Sequence, residues 1–489
     1  MSYRIESIEL YVREMPPDRM VFGIGKADQT GKAKSPKSRR PRAILLTRLV
    51  LQSEDVGMVT GCSGDRPSFG WLDKRPDKAP EEKLSLLLNL VEEARKIYLE
   101  CGRQFDSPFA LWLEAEQKVK AKASELGAEE LMGSYASALF ERAVIDAFCI
   151  AENTSFYSAF RKNLFGIVPG EVHPQLTGFD ITSVVPDVPG SSFAIRHTVG
   201  LSDPITEKDW PEDKRINDGE PETLEAYIER DGLQYLKIKI SGNPDADLSR
   251  LGKIWNQCLV GRNDPKVTLD GNEAYTDIAA FASFVERFEK DLPGLFDHTL
   301  FIEQPLTRAL TLDPTTIPHV RRISRKKALV IDEADGTTDA FRRAFAIGYS
   351  GCSHKNCKGV FKSLLNYALC HHFEDATGRE AFLSAEDLSN MPMIPLHQDF
   401  EVVGALGLLH CERNGHHYAF GLSHLTREEK LAVMREHPET YHTKDNEVFL
   451  SIREGQLSYN STAAGFGSGA KPRWDALTGF QEWREREGA

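Results

Sequence analysis

The chain has 489 residues, a hydrophobic content of 41% and a formal net charge of −13, so it can bury a large core and form two domains. The acidic balance argues against a general nucleic-acid binder, because such proteins present basic surfaces. No run of 18 apolar residues is present, and the first residues lack the apolar core of a signal peptide. Eight cysteines without a CxxC pair indicate reduced thiols. We therefore expect a cytoplasmic protein without a nucleic-acid or membrane partner.

The N-terminal part is predicted to contain two strands, over residues 5–12 and 43–51. Between them lies a glycine-rich and basic segment, residues 23–42, which is either a mobile cover for a site or a plain solvated loop. Residues 61–71 form a second candidate cover loop, with aromatic side chains that could contact a substrate. Helical periodicity predicts helices over residues 81–99 and 109–126.

Two lysines, Lys237 and Lys239, alternate with apolar residues in the segment Tyr-Leu-Lys-Ile-Lys-Ile. In a strand, alternate side chains point to the same face, so both ammonium groups face one side while Leu236, Ile238 and Ile240 face the other. Like charges on one face repel each other, and folding does not require them. The pattern is explained either by an exposed edge strand protected by lysines or by a functional site.

Three later apolar runs end in a carboxylate, and the next unit supplies a lysine. The residues are Asp270, Glu303, Asp332 and Lys355. They are spaced by about 30 residues, the length of a strand plus its crossover helix, and helical periodicity between them supports a parallel sheet. Functional groups at the ends of consecutive strands predict a (β/α) barrel, with its site at the carboxyl ends of the strands. An open doubly wound sheet is the alternative, but it would gather its chemistry at one switch point.

These motifs together resemble the enolase superfamily. The matching segments are Lys-Ile-Lys at 237–239, Leu-Asp-Gly-Asn at 269–272, Ile-Glu-Gln-Pro at 302–305, Ile-Asp-Glu at 331–333 and the lysine at 355. Within the superfamily the pattern is similar to the muconate-lactonizing-enzyme and mandelate-racemase branch, in the type that has a lysine at the ends of the second and sixth barrel strands. Residues 134–147 resemble the helix that leads into the barrel, and residues 452–457 and 465–467 resemble the tail that returns to the cap.

The resemblance implies an α/β fold, a modified TIM barrel with an N-terminal α+β capping domain completed by the C-terminal tail. We expect the capping domain to cover residues 1–165 and the catalytic barrel residues 190–445. Residues 446–489 are expected to return to the cap. The cap is longer than the family leads us to expect, and residues 165–191 have the composition of an added loop.

The three carboxylates offer the oxygen ligands that Mg²⁺ prefers. Asp270, Glu303 and Asp332 would repel one another without a cation, although each one alone is also explained as a strand-end cap or surface group. We therefore expect one divalent cation per subunit, Mg²⁺ with Mn²⁺ as an alternative. A cation beside a substrate carboxylate would stabilise the negative charge that develops when the α-proton is removed.

By the resemblance, Lys239 and Lys355 exchange protons with the substrate, and Lys237 supports the charge on its carboxylate. A lysine base needs a lowered pKa, which a second ammonium group, a cation and burial all favour. Lys358 and Lys362 are alternatives to Lys355, because the segment before Lys355 is polar where the family has an apolar strand. We prefer Lys355, since Lys358 is expected to begin the following helix.

Two residues next to the carboxylates have expected supporting roles. Asn272 would orient Asp270 or contact the substrate. Glu333 would hold Lys355, or would serve only as a helix-entry residue. Later in the chain, turn chemistry or substrate recognition explains a further polar group. Its members are Ser384, Glu386 and Asp387.

Acid-sugar dehydratases of the superfamily use a histidine late in the barrel. The candidates here are His397, His410, His416 and His417. His410 follows the apolar run 402–409 and is also explained as a helix-end histidine. The histidine-rich segment 414–418 lacks a recognised spacing of zinc ligands.

The expected function is Mg²⁺-dependent abstraction of the α-proton of a small carboxylate substrate through an enediolate, by an isomerase or lyase. Racemisation or epimerisation comes first because two lysines can act from opposite faces, while cycloisomerisation and dehydration share the same first step. Two alternatives belong to other functional classes. One is a metal-free Schiff-base lyase, and the other is a non-catalytic barrel that binds metal and a carboxylate ligand. We also expect a homo-oligomer.

Overall fold

The computed structural model describes residues 2–16, 19–20, 42–386, 393–413, 417–459, 464–467 and 471–486. Residues 23–41 of the predicted basic cover segment lie outside the described residues. Within the described part of the chain, no helix combines the length and apolar character needed to cross a membrane.

An antiparallel sheet and a layer of helices form the N-terminal part of the fold. The elements are β1 (Tyr3–Met15), β2 (Arg42–Ser53), β3 (Gly57–Asp65), α1 (Phe69–Leu72), α2 (Pro80–Cys101), α3 (Pro108–Glu125), α4 (Glu130–Ala151) and α5 (Phe156–Arg161). The two predicted strands and both predicted helices are present. The first half of the predicted cover loop 61–71 is instead strand β3, which pairs with β2 over its whole length.

Eight parallel strands close into a barrel. They are β4 (Ser192–Val199), β5 (Tyr235–Lys239), β6 (Lys266–Asp270), β7 (Thr299–Glu303), β8 (Ala328–Ile331), β9 (Gly351–His354), β10 (Phe382–Glu386) and β11 (His410–Arg413). Each strand pairs with the next, and β11 pairs with β4 to close the circle. The predicted barrel is therefore confirmed. The strands are almost entirely buried because the helices cover their outer faces.

The helices of the barrel alternate with its strands. They are α6 (Leu224–Asp231), α7 (Pro244–Ile254), α8 (Ile278–Asp291), α9 (Pro293–His298), α10 (Arg308–Thr311), α11 (Ile317–Ser324), α12 (Ala340–Ile347), α13 (Val360–Thr377) and α14 (Ile394–Ala405). Helix α8 shows why the periodicity predicted them. Phe281, Phe284 and Phe288 lie on its buried face, and the Asp277 side chain accepts the first free amides.

The apolar run 402–409 is not one helix, and His410 is not a helix-end residue. Helix α14 ends at Ala405, a tight turn follows at Gly407, which has a positive φ, and His410 begins the last barrel strand. A short apolar run has no periodicity that separates a helix end from a buried strand. The carboxyl end of β11 thereby reaches the same edge of the barrel as the other strands.

The C-terminal part contacts both the barrel and the N-terminal sheet. Its elements are α15 (Arg427–Glu436), β12 (Tyr441–Lys444), β13 (Glu447–Leu450), β14 (Ile452–Arg453), β15 (Gln456–Ser458), β16 (Thr478–Gly479) and α16 (Phe480–Arg486). Strand β15 pairs antiparallel with the first barrel strand, β4, and strand β16 pairs antiparallel with β1. Of the segment predicted to return to the cap, Gln456 and Leu457 thus pair with the first barrel strand, while Ile452 and Arg453 pair with β15.

Candidate active site

The carboxyl ends of seven barrel strands bring charged side chains to one edge of the barrel. Strand β5 carries Lys237 and Lys239, and each of the next six strands has one further group at or next to its carboxyl end. These are Asp270, Glu303, Asp332, Lys355, Glu386 and Glu412 in strand order. All of them are 5% exposed or less. In a (β/α) barrel this edge is where the active site lies.

Lys237 lies at the centre of this group. Its Nζ is 2.9 Å from Asp270 Oδ2, 2.7 Å from Glu303 Oε2, 2.7 Å from Glu386 Oε1 and 2.9 Å from Glu412 Oε2. Burial by itself would lower the pKa of Lys237, but the four carboxylates together raise it well above its ordinary value. Lys237 is therefore a permanent positive charge in this arrangement.

Lys239 and Lys355 lie at the ends of different strands and have different partners. Lys239 Nζ donates to Asp270 Oδ2 at 2.6 Å. Lys355 Nζ lies 2.6 Å from Asp332 Oδ2 and 2.7 Å from Glu386 Oε2. Burial opposes the charge of Lys355, but its two carboxylate partners raise its pKa well above the ordinary value, the opposite of the lowered pKa expected for a base. A cation bound by Asp332 and Glu386 would neutralise part of the carboxylate charge that causes this rise. The two lysines come from the second and sixth strands, which are opposite each other in a closed eight-stranded barrel.

Three of the carboxylates are placed to hold a cation. One oxygen each of Glu303, Asp332 and Glu386 lies within 4.8 Å of the others. Neither oxygen of Glu303 accepts a well-formed hydrogen bond from the described residues, although both are buried and the ammonium of Lys237 is close. Burial and the neighbouring Glu386 raise the pKa of Glu303 well above its ordinary value. A set of buried carboxylate oxygens of this kind fits a hard divalent cation such as Mg²⁺.

The predicted ligand Asp270 is not one of these three carboxylates. Its Oδ2 accepts from Lys239 and lies 2.9 Å from Lys237 Nζ, and its Oδ1 accepts from the backbone N–H of Asn272 at 2.8 Å. Positive charge around Asp270 lowers its pKa, although burial opposes this. Asn272 thus orients Asp270 through its backbone.

Glu333 contacts a lysine, but a different one from that expected. Its Oε1 accepts from Lys74 Nζ at 2.6 Å and from Asn272 Nδ2 at 3.0 Å, while Lys355 contacts Asp332 and Glu386 instead. Burial raises the pKa of Glu333, and Lys74 opposes this rise. Lys74 belongs to the segment between α1 and α2, so Glu333 joins the barrel to the N-terminal part.

The two alternatives to Lys355 are also buried. Lys358 Nζ lies 3.2 Å from both Asp332 Oδ1 and Asp335 Oδ2, and Lys362 Nζ lies 3.2 Å from Asp335 Oδ2. Lys358 was expected to begin the following helix, but it ends a short 3₁₀ turn two positions before α13. Of these three lysines, Lys355 is the one that contacts Glu386 among the described residues.

Other predicted residues lie away from the charged group or outside the described residues. Ser384 accepts a hydrogen bond from Arg196 at 2.9 Å, below Glu386. Asp387 and His416 lie outside the described residues. His397 Nε2 lies 2.7 Å from the Tyr441 hydroxyl. His410 is at the start of β11, the end opposite to the site, and the His417 ring packs 4.3 Å from that of His197.

Sequence reasoning missed Glu412, Lys74 and the position of Trp71. Glu412 accepts from Thr198 and pairs with Lys237; a carboxylate soon after an apolar run was the available signal. The Trp71 ring lies 4.6 Å from Lys355 Nζ, so the short helix α1 covers that lysine. Residues 61–71 were expected to bring aromatic side chains to a substrate. The observed contact of Trp71 is with Lys355, which lies far away in the sequence.

Solved structures share this architecture over nearly their whole length. A mandelate racemase/muconate lactonizing enzyme from Bordetella bronchiseptica is 14% identical with a TM-score of 0.59, over 97% of this chain and 99% of that chain. A dipeptide epimerase from Enterococcus faecalis is 13% identical with a TM-score of 0.56, over 96% and 99%. The chain has the enolase-superfamily fold.

A racemase from Streptomyces coelicolor, solved with bound magnesium, is 10% identical to the chain with a TM-score of 0.52, over 99% of both chains. No protein-family model matches the chain, and no curated protein matches its sequence. At these identities the similarity concerns the fold. The assignment to the type with two acid/base lysines stays a prediction from the residues themselves.

Proposed function

We propose that the protein is an isomerase or lyase that removes the α-proton of a small carboxylate substrate with the help of a divalent cation. Mg²⁺ is the preferred candidate for this cation. The observation that supports this most directly is the position of Lys239 and Lys355 on opposite strands, with buried carboxylates between them. Fold neighbours described as an epimerase and a racemase agree with this chemistry. A cation held by Glu303 and Asp332 would stabilise the negative charge that develops on the substrate carboxylate.

The two lysines supply the proton transfers. The Cα–H bond of a substrate placed between them breaks as the proton passes to the amine of one lysine, and the bonding electrons remain on the substrate as an enediolate. The ammonium group of the opposite lysine then returns a proton to the other face of the same carbon. Lys237 stays charged among its carboxylates and attracts the substrate carboxylate. Burial of the whole group excludes water and strengthens these interactions.

Epimerisation or racemisation is the outcome that this two-sided arrangement favours. Cycloisomerisation and dehydration share the first step but need a leaving group or an internal nucleophile in the substrate. The described candidate histidines His397, His417 and His410 lie against Tyr441, His197 and Tyr235, so the dehydratase alternative lacks a supporting observation.

Proton exchange in D₂O tests the proposal. Wild-type protein with Mg²⁺ should exchange the α-protons of some members of a library of amino-acid derivatives and hydroxy acids, measured by ¹H NMR. Lys239→Ala and Lys355→Ala should each abolish exchange from one enantiomer, with a loss of at least about 100-fold, because general acid–base groups contribute about 10²- to 10⁴-fold.

Several results would contradict the proposal. Unchanged exchange in both variants would exclude the lysine roles. Exchange that is insensitive to EDTA, together with substrate trapping by borohydride, would favour the Schiff-base lyase. No exchange by the wild type across the library would favour a binding protein.

A further inference from the structure

Lys74, a residue of the N-terminal part, contacts the loops that follow two barrel strands. It lies in the segment between α1 and α2, and its Nζ donates to the backbone oxygen of Asn272 at 2.8 Å and to Glu333 Oε1 at 2.6 Å. Asn272 follows β6 and Glu333 follows β8, with β7 between these strands in the sheet. The Asn272 side chain also donates to Glu333 Oε1 at 3.0 Å. One ammonium group thus joins the two loops to each other and to the N-terminal part.

Each of these loops adjoins a carboxylate that holds one of the two proton-transfer lysines. In the first loop, the backbone N–H of Asn272 donates to Asp270 Oδ1 at 2.8 Å, and Asp270 Oδ2 accepts from Lys239 at 2.6 Å. In the second loop, the residue before the glutamate is Asp332, whose Oδ2 accepts from Lys355 at 2.6 Å. Both lysines are therefore held by carboxylates whose loops share one cationic partner.

The contact between Lys74 and Glu333 is largely buried. The side chain of Glu333 is 0% exposed and that of Lys74 is 27% exposed, and Lys74 is the cation that pairs with Glu333 among the described residues. Without Lys74, Glu333 would be a buried carboxylate with no cationic partner, and its charge would repel that of the adjacent Asp332. Loss of Lys74 would therefore displace the loop that carries Asp332.

We propose that Lys74 is a positioning residue for the proton transfers of the proposed function, on which this inference rests. It fixes the loops after β6 and β8, and through them it fixes Lys239 and Lys355. Because the two lysines are fixed together, Lys74 supports proton transfer on both faces of the substrate. The site is complete only when the N-terminal part is docked on the barrel.

Exchange of α-protons in D₂O, followed separately for the two enantiomers of a substrate, tests this role. Lys74→Met should lower kcat at least about tenfold for both enantiomers, because small displacements of reacting groups are costly. KM should change less than about threefold, because Lys74 acts through protein groups. Lys74→Arg keeps a permanent charge and should retain a kcat at least about threefold above that of Lys74→Met. A loss for one enantiomer alone, or a higher KM with unchanged kcat, would overturn the proposal.

Two control variants separate this role from a general effect of charge or of docking. Lys78→Met removes the same charge from the same segment and should change kcat less than about twofold. Arg308→Met removes another contact between the two parts, since Arg308 Nη1 donates to the backbone oxygen of Leu72 at 3.1 Å, but it leaves both contacts of Lys74 in place. Its kcat should fall less than about threefold. A loss equal to that of Lys74→Met in either control would overturn the specific role.

Amide hydrogen exchange, measured by mass spectrometry, gives a readout that does not depend on activity. In Lys74→Met, peptides that cover residues 270–275 and 332–336 should exchange at least about fivefold faster than in wild type, because their loops open more often. A peptide from the distant helix α15 should be unchanged. If circular dichroism shows that Lys74→Met does not fold, Lys74→Met combined with Glu333→Gln removes both charges of the pair and should show the same changes.

The two readouts distinguish this inference from the proposed function. Wild-type protein that exchanges no α-protons would refute the proposed function, and the amide exchange of the two loops would then decide alone whether Lys74 fixes them. Wild-type activity, together with unchanged kcat and unchanged amide exchange in the Lys74 variants, would refute this inference alone.

Discussion

At the scale of single residues, Lys237 and Lys239 show how two identical side chains on one strand face acquire different properties. Lys237 contacts four carboxylates and Lys239 one, although only two positions separate them. The difference arises because Glu386 of β10 and Glu412 of β11 reach Lys237 across the interior of the closed barrel. A lysine among four carboxylates retains its proton, because their negative charge raises its pKa well above the ordinary value.

Glu141 gives a residue-scale prediction about pH. It is fully buried on α4 and accepts the backbone amides of Val360 and Phe361 at 3.2 and 2.6 Å. Burial raises its pKa from 4.5 to about 8. The folded protein therefore favours the protonated carboxyl, and the stability that results is complete below about pH 4.5 and is lost as the pH rises through about 8.

We expect the free energy of unfolding of the wild type to fall by up to about 3 kcal/mol between about pH 5.5 and pH 8 relative to Glu141→Gln. The glutamine is a neutral side chain of the same shape and lacks this ionisation. Urea titrations of both proteins across this pH range measure the difference. Parallel pH profiles of the two proteins would show that Glu141 is ionised in the fold.

At the scale of elements, β3 and α4 pack so closely that a glycine is needed between them. A Cβ at Gly61 would overlap the carbonyl oxygen of Ala143 and the backbone nitrogen of Ala147. The Asp146 carboxylate then accepts the amide of Cys62 at 2.7 Å. This contact fixes β3, and α1 after it carries Trp71 over Lys355.

We expect Gly61→Ala to destabilise the protein by about 2 kcal/mol or more, since backbone atoms cannot move aside as a flexible side chain does. Gly70→Ala is the control, because a Cβ there meets nothing within 4 Å in an exposed part of α1. Its effect should be within about 0.5 kcal/mol. Urea unfolding followed by circular dichroism measures both changes, and equal stabilities would contradict the close packing.

At the scale of the whole molecule, the C-terminal part pairs with both the barrel and the N-terminal sheet and so connects them. Strand β15 extends the pairing of β4, strand β16 pairs with β1, and α16 buries Phe480 and Trp483. Side chains cross between the two parts as well, since Lys74 contacts Glu333. The N-terminal part, the barrel and the C-terminal part should therefore unfold together.

Trp483→Ala tests this attachment. Trp483 is 4% exposed, and we expect its loss to lower the free energy of unfolding by about 3 kcal/mol, a typical cost for a buried aromatic residue. Gln481→Ala, at an exposed position of the same helix, should change it by less than about 0.5 kcal/mol. Circular dichroism in urea measures both, and equal stabilities would show that α16 contributes little to the fold.

Predictions from the sequence succeeded where the signal is local or repeated. The interval of about 30 residues predicted the strand–helix units, and a lysine after a polar segment was correctly expected to follow a strand, β9. Glu412 was not predicted as a site residue, because the apolar run before it has no periodicity that distinguishes a helix from a strand. Lys74 was not predicted either, because its partner, Glu333, is 259 positions away in the sequence.

The sequence by itself determined the barrel, the residues at the ends of its strands and the kind of chemistry they allow, because strand alternation and repeat length are properties of short segments. Only the tertiary structure decided which carboxylates meet. Closure of the barrel directs side chains of the second, seventh and eighth strands into one interior, so Glu386 and Glu412 reach Lys237 across it. Asp270 is bound by both lysines of β5, and Glu386 completes the trio of carboxylates. Such contacts depend on distances between segments far apart in the chain, which no local pattern encodes.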